Sequence, residues 1–132
     1  MMSHKTGTRY ARVYADSSGE SHFGNIDVET KPVDFAPPAP PLELSEFVPA
    51  ERLAFMVMRA SWRGGWHPAP RRQFLIVLSG KIECSVTRDE KRLFKQGDVL
   101  LLEDTVGKGH AICSVEGDAI IGVVQLGESR VR

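Results

Sequence analysis

The sequence predicts an all-β domain, a barrel or sandwich of short strands. Three observations carry that prediction. Short apolar segments recur from Glu51 onward and are separated by turn residues. Lys81 to Thr87 alternates cleanly, with Ile82, Cys84 and Val86 on one face and Lys81, Glu83, Ser85 and Thr87 on the other. No segment after Phe47 has a helical period.

Residues 1 to about 20 are polar and read as loosely held, with a short strand over Tyr10, Val13 and Tyr14 as the alternative. Asn25 to Asp34 alternates as a strand does. Four prolines then fall within Pro37 to Pro41 and cannot donate ladder hydrogen bonds. That stretch predicts an extended connection or a sheet edge. A short helical turn is expected near Leu42 to Phe47.

Beyond Glu51 the strands follow in order. Leu53, Phe55 and Val57 alternate with Ala54, Met56 and Met58, so both faces of that strand are apolar. Gln73 to Leu78 is apolar on both faces too, as in a wall covered inside and outside. Ser79-Gly80 breaks it, Lys81 to Thr87 follows, and Arg88 to Lys91 is a charged turn. Val99 to Leu102, His110 to Ser114 and Ala119 to Leu126 supply the remaining strands. The strand faces left apolar on the outside predict a symmetric homodimer.

The chain has 132 residues, 42% hydrophobic and 26% charged, which suits one domain with its own core. Its 17 basic and 17 acidic residues balance, so the composition argues against nucleic acid as a partner. Aliphatic runs such as Val99 to Leu102 are far too short to span a bilayer, and Met1 to Gly7 lacks the apolar core of a secretory signal. Cys84 and Cys113 make no disulfide framework and read as two buried thiols in a reducing cytoplasm.

The stretch from Gly65 to His110 resembles the two-motif signature of the cupin family. Its first motif has two histidines one residue apart, a glutamate four or five positions later, and a glycine seven positions after that. Here His67 fits the first histidine, Ala69 stands for the second, Gln73 stands for the glutamate, and Gly80 is the glycine. In the second motif Gly97 and His110 fit, while Glu103 replaces a proline and Ser114 an asparagine. The 16 residues between Gly80 and Gly97 match the family's hairpin. Trp66 to Gln73 and Glu103 to His110 are also similar to stretches of small, single-domain, RmlC-like bacterial cupins of unassigned function.

The resemblance covers roughly residues 50 to 126 and implies a cupin-type double-stranded β-helix, a jelly-roll barrel. The expected layout is one domain overall, with a Pro-rich N-terminal arm over 1–48 and the barrel over 49–132. The barrel should be antiparallel, its pocket opening toward Trp66 and Lys108.

The resemblance also implies a metal shell, because the full family pattern uses three histidines and a glutamate to hold Fe, Mn, Ni or Zn. Imidazoles suit those metals and the carboxylate offsets part of their charge. Here the shell reduces to His67, Gln73 and His110, a weak or degenerate site without an anionic ligand. Glu103 or Asp104 could swing in as the missing carboxylate. The alternative is no metal at all, with His67 and His110 as hydrogen-bonded pocket histidines or as an acid/base pair.

Around them, Trp66 and Trp62 flank Gly64-Gly65 and read either as core or as a pocket wall. Arg71 shares the face of Gln73 and could clamp a carboxylate or phosphate, whereas Arg72 points the other way, toward a salt bridge. The expected ligand-binding residues are therefore Trp66, Arg71, Gln73 and Lys108. Two functions stay open. One is an enzyme on a small anionic or carbonyl-bearing metabolite: a metal-assisted oxygenase, isomerase or lyase. The other is a non-catalytic binding or sensing module. His110→Ala is expected to cost little stability, and Gln73→Glu to raise affinity for Zn or Fe.

Overall fold

The computed structural model describes residues 4–127, with side chains described from residue 8 onward. The expectations for 1–3 and 128–132 lie outside the described residues. Among those described there are ten strands and no helix. They are β1 (His4–Ala15), β2 (Ser21–Val33), β3 (Leu42–Leu44), β4 (Ala50–Met58), β5 (Gln73–Ser79), β6 (Lys81–Val86), β7 (Glu90–Lys95), β8 (Val99–Leu102), β9 (Ala111–Ser114) and β10 (Ala119–Leu126). No helix is long and apolar enough to cross a membrane.

A seven-stranded sheet, ordered β3-β2-β1-β8-β5-β10-β4, faces a three-stranded sheet, β7-β6-β9. Period-2 alternation sends one side chain in two into the space between them. Leu75 and Val77 of β5, Ile82, Cys84 and Val86 of β6, Leu100 and Leu102 of β8, Ile112 of β9 and Ile121 of β10 fill it. Each fully buried aliphatic side chain contributes about 1.5–3 kcal/mol.

Three expectations are corrected here. Residues 4–20 are not loosely held, and the alternative, a strand over Tyr10, Val13 and Tyr14, lies within β1. β1 pairs with β8, Ala11 to Leu100 through Val13 to Leu102, and Val13 is completely buried. That pair is parallel, so the barrel is not antiparallel throughout. Polar composition misled here because Arg12 sits on the outer face while Ala11 and Val13 alternate inward. Finally, Leu42 to Phe47 is not helical: Leu42–Leu44 forms β3, an edge strand on β2. Pairing of Lys31, Pro32 and Val33 with Leu44, Glu43 and Leu42 holds that segment extended.

β1 and β2 form one long hairpin, so the arm belongs to the barrel's own large sheet. Its far end reaches the small sheet. Ser21 N donates to Thr87 Oγ1 (2.8 Å), Thr87 N donates to Ser21 Oγ (3.0 Å), and Ser21 Oγ donates to the Gly109 carbonyl (2.8 Å). Phe23 packs on Phe94, with ring centroids 6.4 Å apart. These contacts fix the residue immediately before His110. β7 (Glu90–Lys95), absent from the sequence reading as a strand, is mostly charged; its buried side chain is Phe94.

Candidate functional site

Residues 62–67 run antiparallel to β9 and extend the small sheet by one irregular edge. Ser114 N donates to the Trp62 carbonyl (3.0 Å) and Gly64 N to the Ile112 carbonyl (2.9 Å). His67 and His110 exchange both backbone hydrogen bonds at 3.1 Å. Residues paired this way carry their side chains on the same side of the sheet. The two imidazoles therefore meet, with ring centroids 5.1 Å apart.

Gly109 makes this approach feasible. It has φ of 79°, and a Cβ there would lie 2.1 Å from the His67 carbonyl carbon. No residue with a side chain fits that position.

Each imidazole is held by one nitrogen. Nδ1 of His110 donates to Asp104 Oδ2 at 2.7 Å, and Nδ1 of His67 donates to the Gly65 carbonyl at 2.6 Å. A carboxylate and a carbonyl can only accept, so both protons sit on Nδ1. In the neutral rings both Nε2 atoms then carry a free lone pair, and neither makes a hydrogen bond among the described residues. His67 is exposed at the rim, whereas His110 lies beneath it, 1% exposed.

Asp104 is 0% exposed, and its second oxygen, Oδ1, has no hydrogen-bond partner. Its neighbour Glu103 is turned outward, accepting from Arg12 Nε (2.7 Å) and from Arg72 Nε and Nη2 (3.1 and 2.9 Å). Sequence reasoning treated these carboxylates as equivalent. The signal that separates them was present: Leu100, Leu102 and Asp104 share one parity and point in, while Leu101 and Glu103 share the other. Asp104 also acts on Cys84. Burial first, and that carboxylate second, push the Cys84 thiol well above the usual range.

The other expected site residues scatter. Gln73 faces inward and is buried, but its Oε1 accepts from Gln125 Nε2 (2.8 Å), and Gln125 Oε1 accepts from Arg52 Nε (2.6 Å). No hydrogen bond joins Gln73 to either histidine. Gln73 Nε2 has no partner among the described residues. Arg71 pairs with Glu51 and donates to the Leu126 carbonyl (3.1 Å), clamping β4 to the end of β10. Lys108 pairs with Glu20, and that contact, with Thr87 behind it, holds the Glu20 carboxyl below its ordinary range. Trp66 and Trp62 are 54% and 43% exposed, so neither is core. Cys113, expected buried, is only half-buried.

Two clefts of about 340 and 380 Å³ lie side by side against the small sheet and share Trp66, Val86 and Asp89. Lys108 lines the second. Neither is lined by His67, Gln73 or His110.

The residues do not fit the metal shell that the family pattern implies. Two imidazoles converge, Ala69 brings no donor, and the Gln73 oxygen is committed to Gln125. Among the described residues no three His, Cys, Asp or Glu side chains come together as a metal-binding group. Asp104 contacts His110 on the nitrogen that a metal would not use.

No protein-family model matches the chain. No curated protein matches it either. Among solved structures, it is similar to a Cupin 2 conserved barrel domain protein from Salinispora arenicola CNS-205, with 18% identity, 76% of each chain covered and a TM-score of 0.48. It is also similar to the Schizosaccharomyces pombe Cnp3 cupin domain, with 12% identity, 81% of this chain and 73% of that one covered, and a TM-score of 0.49. An RmlC-like cupin protein from Desulfovibrio desulfuricans is 11% identical over 89% of this chain and 81% of its own, with a TM-score of 0.43. The chain's own strand order, a seven-stranded sheet facing a three-stranded sheet, carries the reading of an all-strand barrel.

Proposed function

We propose that this is a small-molecule-binding cupin that takes a small anionic or carbonyl-bearing metabolite at the barrel rim, without a tightly held metal. The observation that carries this reading is the anchored imidazole pair. Each Nδ1 is fixed by an oxygen, and each Nε2 is left for something that is not protein. An Nε2 lone pair accepts from a hydroxyl or an enol. Once protonated it donates to a carboxylate or carbonyl oxygen.

The same arrangement gives His110 the setting of a general base. A buried carboxylate orients the ring through Nδ1 and leaves Nε2 to face the ligand. Proton transfer to or from a bound carbonyl compound is therefore the chemistry this pair supports, and binding alone is the simpler reading. His67, exposed at the rim, meets the ligand first.

The protein works as a homodimer in this reading. Leu53, Phe55 and Val57 of β4, Ile120 of β10 and Leu78 of β5 are exposed on the outer face of the large sheet, and Phe55 is 71% exposed. An apolar face at the free edge of a sheet suits an isologous contact with a second copy. The two cysteines suit a reducing, cytoplasmic setting. They lie on neighbouring strands, where Cys84 faces the core and Cys113 faces out, so they cannot bond to each other.

Histidine ¹⁵N NMR tests the binding reading. Pyruvate, acetoacetate and oxalate serve as probes at millimolar concentration. At least one should shift the Nε2 signals of His67 and His110, and His67→Ala should weaken that probe about tenfold, the worth of one charge-assisted hydrogen bond. Unchanged Nε2 signals with all three probes would defeat the reading.

A further inference from the structure

Among the described side chains, three cations take part in no hydrogen bond or ion pair: Arg63, Arg88 and Lys91. All three line the paired clefts on the outer face of the small sheet. Elsewhere surface charges find partners, as Arg59 does with Asp118, Lys81 with Glu116 and Arg12 with Glu103.

The face between those cations is built of small residues. Register places Ser85 between Lys91 and Ala111, and Cys113 between Glu83 and Arg63. Ser85, Ala111 and Cys113 thus form a low floor. Trp66, more than half exposed, stands beside it, and Arg63 and Lys91 lie across it from one another. A cleft of about 340 Å³ is at the lower end of what encloses a small organic ligand. A half-exposed indole over a flat floor offers a stacking surface, and unpaired guanidinium and ammonium groups select an anion.

We propose that this outer cleft is a second binding site, separate from the histidine pair, for an anion carried on a flat ring: an aromatic or heteroaromatic carboxylate or phosphate. The ring lies against Trp66 over Ser85 and Ala111, and the anionic group reaches Arg63 and Lys91. Glu83 and Asp89, also without partners at the cleft, turn away ligands with a second negative charge on the ring's far side and accept from its N–H or O–H groups.

The protein carries a reporter for this site. Cys113 lines the cleft, whereas Cys84 is wholly buried with its thiol pushed up. Alkylation by iodoacetamide, read by mass spectrometry, should therefore label Cys113 and spare Cys84 in the native protein. The probes are salicylate, indole-3-acetate and adenosine monophosphate, with adenosine and inorganic phosphate as single-feature controls.

At least one flat-ring anion should slow alkylation of Cys113 about fivefold or more, and adenosine or phosphate alone should slow it less. Trp66→Leu and Arg63→Ala should each remove the protection, with Cys84 still unlabelled as a sign that the fold is intact. His67→Ala should leave it unchanged, which separates this site from the one at the rim. Absence of protection by all three ring anions, or protection that survives both cleft variants, would overturn the proposal.

Discussion

His110 Nδ1 lies 2.7 Å from Asp104 Oδ2, and both side chains are almost wholly buried. That pair sets the stability of the site as well as its chemistry. The expectation that His110→Ala would cost little came from treating the histidine as an unsatisfied polar group. It is instead, among the described residues, the sole hydrogen-bond partner of a fully buried carboxylate whose other oxygen has none. The variant leaves Asp104 buried with no partner at all and should lose about 3–5 kcal/mol. The double variant His110→Ala, Asp104→Ala should recover part of that loss. Urea unfolding of both variants checks the order; a double variant less stable than the single would contradict it.

Gln73→Glu tests whether a metal shell survives here. Gln73 hydrogen-bonds Gln125 and neither histidine, and the described residues bring no three metal-binding side chains together. Zinc affinity by calorimetry should therefore stay within about twofold of wild type. A rise of about tenfold or more would place Gln73 in one site with His67 and His110.

The apolar outer face of the large sheet predicts a mass of two chains by light scattering at micromolar concentration. Phe55→Glu places a charge at its most exposed ring and should return the protein to a monomer with its circular dichroism unchanged. A monomeric wild type would refute the dimer.

Cys84 gives the fold an alkaline weakness. Its thiol ionises near the ordinary value of about 8.5 when unfolded but resists ionisation when buried. The raised folded value means stability is full below about pH 8.5 and falls as pH rises above it, because the unfolded chain releases the proton first. Cys84→Ala should be less stable at neutral pH yet show a flatter decline above pH ~8.5. Equal slopes for variant and wild type, followed by chemical denaturation at several pH values, would remove Cys84 as the cause.

Much of this molecule was legible as alternation. Gln73 to Leu78, Lys81 to Thr87 and Ala119 to Leu126 emerge as β5, β6 and β10 within a residue or so, because local period and turn residues fix them. The pairing of β1 with β8 was not, since the partners lie about ninety residues apart and no local pattern encodes a parallel neighbour. The site was half legible. Motif spacing brought His67 and His110 together, and Asp104 had the right parity. That it is fully buried, with one oxygen unpaired, depends on how the chain closes after β8. Trp66 was placed at the barrel mouth; pairing of residues 62–67 along β9 turns it to the outer cleft instead.

The central claim is that two imidazoles, each anchored through Nδ1, present free Nε2 atoms to a ligand. Long-range ¹H–¹⁵N correlation spectra of the histidine rings, taken above the pH at which they protonate, read this directly. The account predicts the Nδ1–H tautomer for both His67 and His110, with Nε2 at the shift of an unprotonated nitrogen. An Nε2–H tautomer in either ring, or an equal mixture of the two, would contradict it.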